Sequence, residues 1–126
     1  MHISKFRISA ESTNKLRVLR QRAGLTPNLL CRMAMAASLE EGPIGDGVVS
    51  ASDGQEFNAY TLFGADQPIY LTFLRMVEAA EGGTDLSDEV LLDRLRAHID
   101  RGVQHLSARV KVPSDVARLF AGKAMA

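Results

Sequence analysis

Seven basic side chains, Lys5, Arg7, Lys15, Arg17, Arg20, Arg22 and Arg32, crowd the first 32 residues against a single acid, Glu11. Cations at that density suit a polyanion, because Lys and Arg bound to nucleic-acid phosphates release condensed counterions. The net charge of the 126-residue chain is nevertheless zero, so the excess is local. Residues 33–105 hold four basic side chains against thirteen acidic ones, and residues 106–126 hold four basic against Asp115. A chain polarised in this way can turn one face to phosphate while the rest repels it. On charge alone a solvated basic face is an equal reading.

Other residues with chemical potential form weaker patterns. Cys31 lies between Leu30 and Arg32 in a helical stretch with no His or Asp within four residues. It therefore reads as a buried structural thiol, not a nucleophile. As the one cysteine it excludes an intramolecular disulfide and fits a reducing compartment. His98 and His105 straddle Gly102 without the Cys or carboxylate that would complete a metal site. Glu40, Glu41, Asp46, Asp53 and Glu56 border a glycine-containing loop but lack calcium-loop spacing, and read as a solvated loop open to interactions. Phosphate loops, nucleophile elbows and HExxH helices do not occur. The expectation is a protein that is not an enzyme, with no catalytic residue, metal or cofactor.

The elements that would position the basic residues can be read from periodicity. Residues 2–8 alternate as a short strand, with Ser4, Phe6 and Ile8 inward and Lys5 and Arg7 outward. Ser9 is an N-cap for a helix over 10–22, with Leu16, Leu19 and Ala23 as its apolar stripe. Gly24 stops that helix, and Thr26-Pro27 starts a second that runs to Leu39. Leu29, Leu30, Met33, Ala34 and Ala37 give the second helix a wide apolar face, as in an oligomer core. Residues 42–58 read as a long loop with a turn at Asp53-Gly54. A third helix is expected over 67–80 with Ile69, Phe73, Leu74 and Val77 inward, ended by Gly82-Gly83. A fourth spans 87–101 with Leu91, Leu92, Leu95 and Ile99 in the core, stopped by Gly102. A last short helix from Ser114 carries Val116, Leu119 and Phe120.

Together these make one mainly α domain over residues 1–126: a basic strand-helix-turn-helix module over 1–41, then a loop and C-terminal helices over 42–126. No apolar run spans a bilayer and the N-terminus lacks an apolar leader, so a cytoplasmic, membrane-free protein is expected. The order of strand, basic helix, glycine turn and apolar helix is ribbon-helix-helix-like. One strand is not stable alone, so two chains would pair theirs antiparallel and lay the ribbon in the major groove. Lys5 and Arg7 would then face the groove, and the helix-borne cations would grip the backbone.

Three separated segments carry a resemblance to a known family. They are Gly24-Leu25-Thr26-Pro27-Asn28-Leu29-Leu30-Cys31-Arg32, the stretch Asp53-Gly54-Gln55-Glu56-Phe57-Asn58 with Tyr60-Thr61-Leu62, and Arg96-Ala97-His98-Ile99-Asp100-Arg101-Gly102-Val103. In this order they resemble DndE, the small component of bacterial DNA phosphorothioation systems, from the N-terminal strand to about Leu119. The resemblance implies a helical, oligomeric protein, a tetramer in the family, that binds double-stranded DNA with a preference for nicks. It implies as partners a cysteine desulfurase, an iron–sulfur protein and an ATPase, which carry the sulfur chemistry. The chain has four lysines and uses Arg where the family uses Lys. Two other roles fit the residues: a protein–protein adaptor in the modification complex, and a ribbon-helix-helix transcriptional regulator.

Overall fold

The computed structural model describes residues 3–79 and 86–125. Chain order is β1 (Lys5–Arg7), α1 (Ala10–Ala23), α2 (Pro27–Glu41), β2 (Glu56–Asn58), α3 (Ala59–Phe63), a 3-10 turn (Gly64–Asp66), α4 (Gln67–Ala79), α5 (Asp88–Arg109) and α6 (Pro113–Met125). The caps fall where the sequence places them. Ser9 Oγ accepts from Ser12 N at 3.0 Å, and Thr26 Oγ1 accepts from Leu29 N at 3.3 Å. Gly24 takes the left-handed conformation (φ 71°) and donates its N–H to Arg20 O, which ends α1 without the strain a side chain would bring.

The N-terminal strand finds its partner in its own chain. β1 pairs antiparallel with β2, Phe6 opposite Phe57, and both rings are buried with centroids 6.1 Å apart. Where a two-chain ribbon was expected, β1 instead has an intrachain partner that follows two helices later, drawn from residues read as loop. On the other edge of β1, Arg96 Nε donates to Arg7 O at 2.8 Å, so α5 also engages that edge. Ser4, expected inward, is exposed, and Ile3 takes the inner place.

Three further expectations change. Residues 59–66 form α3 and the 3-10 turn, closed by Asn58, whose Oδ1 accepts from Thr61 N at 3.2 Å. In α4 the inward residues are Leu71, Leu74 and Glu78, whereas Ile69 and Phe73 are each 54% exposed and Val77 is half-buried. The Gly82-Gly83 break expected after α4 lies outside the described residues. Finally, α5 does not stop at Gly102 but runs on to Arg109. Gly102 is buried where α5 crosses α2, and a Cβ there would stand 1.9 Å from Ala34 O. The glycine is a point of close helix approach, not a terminator.

α2 and α5 form the centre of the molecule, with α1, α3 and α4 packed around them. Their buried faces join Leu30, Ala34 and Met35 to Leu95, Ile99, Val103 and Leu106. Within α2 the wide apolar face is present, but Leu29 is exposed, and Cys31, Met35 and Ser38 are buried instead. α6 is longer than expected; Val116 and Leu119 pack partly against the core.

Candidate nucleic-acid interface

The seven N-terminal basic residues separate into free and engaged groups. On α1, Arg17 and Arg20 lie one turn apart and continue the side begun by Thr13. Thr13 Oγ1 accepts from Gln55 N at 2.8 Å, which sets this side next to the start of β2. Both arginines are exposed; Arg17 touches only the Asn14 amide oxygen, at 3.3 Å, and among the described residues neither forms an ion pair. Lys5, outward on β1, is likewise exposed and without an ion pair. Arg7 is outward too, but bonds Gly54 O at 3.0 Å and faces Glu56 at 3.7 Å.

The others serve structure at least in part. Lys15 pairs with Glu11 at 3.0 Å on the far side of α1. Arg32 is half-buried and donates from Nε to Leu62 O, tying α2 to α3. Arg22 is half-buried and reaches Ser107 O at 3.4 Å, where Lys111 Nζ also arrives at 3.0 Å. Two cations thus converge on one carbonyl near the C-terminal end of α5, where the helix dipole favours positive charge. Lys111 was not among the candidates. The basic excess of the last 21 residues was the available signal, but only the fold brings it beside Arg22.

Why Lys5, Arg17 and Arg20 lack acidic partners among the described residues follows from where the acidic side chains go. Glu78 and His98 are completely buried side by side between α4 and α5, with His98 Nε2 to Glu78 Oε2 at 2.8 Å. The carboxylate accepts from Arg94, and from the backbone N–H groups of Ile44 at 2.8 Å and Gly45 at 3.3 Å. Arg94 also holds Asp46 at 2.6 Å. Burial pushes the Glu78 carboxyl up, but the bonds from Ile44, Arg94, His98 and Gly45 outweigh it and hold it below the usual range. His98 is pushed down by burial, against the pull of Glu78. Neutral His98 then donates from Nε2 to Glu78, so its Nδ1 accepts from Ser38 Oγ at 2.8 Å. Ser38 Oγ in turn accepts from Arg101 Nε at 2.8 Å.

Farther along α5, His105 and Arg101 both meet Glu41. The two histidines sit seven apart on one continuous helix, each against a glutamate. Asp53 Oδ1 caps Ala10 N at 2.9 Å, and Asp100 Oδ1 accepts from Ser9 Oγ at 2.8 Å and Ser12 Oγ at 2.5 Å. Glu41, Asp46 and Asp53 are exposed, as expected of a solvated loop, and each also bonds a helix, so that they help hold residues 41–54 in place. Among the described residues no group of three or more His, Cys, Asp and Glu is placed to hold a metal ion. Cys31 is buried, and burial pushes its thiol up to about 12. No helix among the described residues is long and apolar enough to cross a membrane.

Fold and surface together define a small, mainly helical protein with a short two-stranded sheet and, among the described residues, three exposed cations without ion pairs, Lys5, Arg17 and Arg20. The chain belongs to the DndE family: it matches the family described as DNA sulphur modification protein DndE over residues 5–114. A solved DndE from Escherichia coli B7A, described as involved in DNA phosphorothioation modification, superposes with a TM-score of 0.73 at 23% identity. That similarity covers 84% of this chain and 98% of the other. A glycine-to-lysine mutant of DndE involved in DNA phosphorothioation gives a TM-score of 0.68 at 21% identity, covering 85% of this chain and 99% of that one. No curated protein sequence matches the chain.

Proposed function

We propose that this chain is a non-enzymatic DNA-binding subunit of the DNA phosphorothioation machinery. It grips double-stranded DNA, nicked duplex preferred, through Lys5, Arg17 and Arg20, with Arg7 at the margin and with Arg22 and Lys111 as a separate basic pair near the end of α5. The carrying observation is that Lys5, Arg17 and Arg20 stay exposed and, among the described residues, without ion pairs in a chain of zero net charge. Unpaired surface cations side by side repel one another, and phosphates relieve that repulsion. Lys15 and Arg32 are the weakest of the original candidates, because Lys15 pairs with Glu11 on the far side of α1 and Arg32 is half-buried against Leu62 O. The protein acts in the cytoplasm as a tetramer that multiplies the basic strip, beside a cysteine desulfurase, an iron–sulfur protein and an ATPase that perform the sulfur chemistry. The test is titration of fluorescent nicked and continuous duplexes at two salt concentrations. Affinity that falls steeply with salt and favours the nicked duplex is expected; no binding to either at low salt overturns the reading.

A second role, as an adaptor, is favoured by one observation. Ile69, Phe73 and Met76 are each more than half exposed along one side of α4. With Ala36 and Leu39 of α2, the first two border an open groove of about 550 Å³. An apolar strip of this kind marks a protein contact. Charge reversal at Arg17 and Arg20 separates the roles: an adaptor keeps modification activity and a DNA-gripping subunit loses it.

A further inference from the structure

Tyr60 is 75% exposed, the most exposed aromatic ring among the described residues whose side chains are placed. Its position is rigid. α3 is anchored from below by Ala59, Leu62 and Phe63, all buried, and fixed to the N-terminal strand by Ala59 N donating to Ser4 O at 2.9 Å. The Tyr60 hydroxyl has no hydrogen-bond partner among the described residues. Its neighbours are polar or cationic. Asn58 and Thr61 are exposed on either side, and Lys5 stands opposite Asn58 in the strand register. The Lys5 and Tyr60 side chains are therefore both exposed at the same end of the strand pair, with Tyr60 two residues beyond the partner of Lys5. A bare ring scattered on a surface is common. A bare ring on a fixed platform beside an unpaired lysine is the constellation that stacks on a base while the cation holds the adjoining phosphate.

We infer that Tyr60 is a stacking platform for the base-pair face exposed at a break in one DNA strand. The inference rests on the DNA-binding reading and adds the residue that tells nicked from continuous duplex. In an unbroken duplex the faces are covered, and only edges and phosphates are presented. Opening a base step there costs as much as one ring gains by inserting. Where one strand is cut, the duplex hinges at low cost and the ring meets an open face. Tyrosine suits this task because it presents a large contact area while losing only two torsions.

The experiment measures Kd by fluorescence anisotropy for one duplex sequence, with and without a central nick. The full chain is compared with Tyr60→Ala, Tyr60→Phe and Tyr60→Trp, all checked for unchanged thermal melting. Tyr60→Ala is expected to weaken the nicked duplex roughly tenfold or more and the continuous duplex less than twofold. Tyr60→Phe should keep the parental preference. The Trp of Tyr60→Trp, unique in the chain, should be quenched by nicked duplex and not by continuous duplex. An equal effect of Tyr60→Ala on both duplexes, no effect on the nicked one, or a parent chain that prefers neither overturns the stacking role while leaving DNA binding in place. Binding of the parent to neither duplex overturns the DNA-binding reading itself.

Discussion

Replacing Gly102 by alanine reverses the usual sign of that substitution. In an unobstructed helix interior, Gly→Ala stabilises by about 0.5–1 kcal/mol because the backbone of glycine loses more freedom on folding. At Gly102 the new Cβ would stand 1.9 Å from Ala34 O, 2.3 Å from Ala34 C and 2.7 Å from Ala34 Cα. All three are backbone atoms of α2, so no side-chain rotation relieves the clash. Ordinary contact begins at 3.4 Å, which requires α2 and α5 to part by roughly 1.5 Å along the centre of the core. A gap of even ~1 Å forfeits up to half of the dispersion attraction between facing atoms. Overpacking of this kind costs about 1–3 kcal/mol and occasionally more. Subtracting the propensity gain leaves a net loss centred near ~1 kcal/mol and reaching about 2.5, out of ~5–15 for a domain. Urea unfolding should show a lower midpoint with an unchanged slope, and thermal melting a fall of roughly 3–8 °C. Ala108→Gly, at an exposed position in the last turn of the same helix, should also destabilise, by less than the ~1 kcal/mol of a helix interior. A Gly102→Ala protein as stable as the parent, or more so, refutes the close-approach argument.

Glu78→Leu should destabilise by about 3–5 kcal/mol, because it strands Arg94 and two backbone N–H groups. Limited proteolysis of the variant should then cut first within residues 42–54. Both buried acid–base groups have folded pKa values below their ordinary ones, so each stabilises above its unfolded pKa and loses that contribution as pH falls. Stability should drop first as pH passes below about 6.5, where unfolded histidine protonates, and further through the carboxylate range. His98→Asn should flatten the first step in urea titrations run at several pH values. Cys31, buried with its thiol pushed up to about 12, should resist a thiol-reactive dye at pH 8 until the chain is unfolded.

Much of the secondary structure was legible because its signals are local. Ser9, Thr26 and Ser87 cap helices as their type and position dictate, and Gly24 ends α1 as a left-handed glycine. The errors came where tertiary contact decides. Gly102 looks like a stop in one dimension and proves to be a gap for Ala34. Glu56-Phe57-Asn58 is too short to announce a strand, and becomes one because β1 lies alongside. The face of α4 was assigned by hydrophobicity, yet Glu78 is buried because Arg94 and His98 wait for it and Phe73 is left outside. The basic segment was visible as composition. Which cations stay free was not, since Arg32 is claimed by the Leu62 carbonyl and Lys111 arrives beside Arg22 from the far end of the chain.

The salt dependence of duplex binding, measured for the parent chain and for Arg17→Ala/Arg20→Ala, tests the central claim most directly. Each phosphate contact contributes about −0.9 to the slope of log K against log salt. The account predicts binding by the parent and a slope about two units shallower in the double variant, with melting unchanged because both side chains are exposed. Equal slopes for the two proteins, or a parent whose affinity ignores salt, would contradict it.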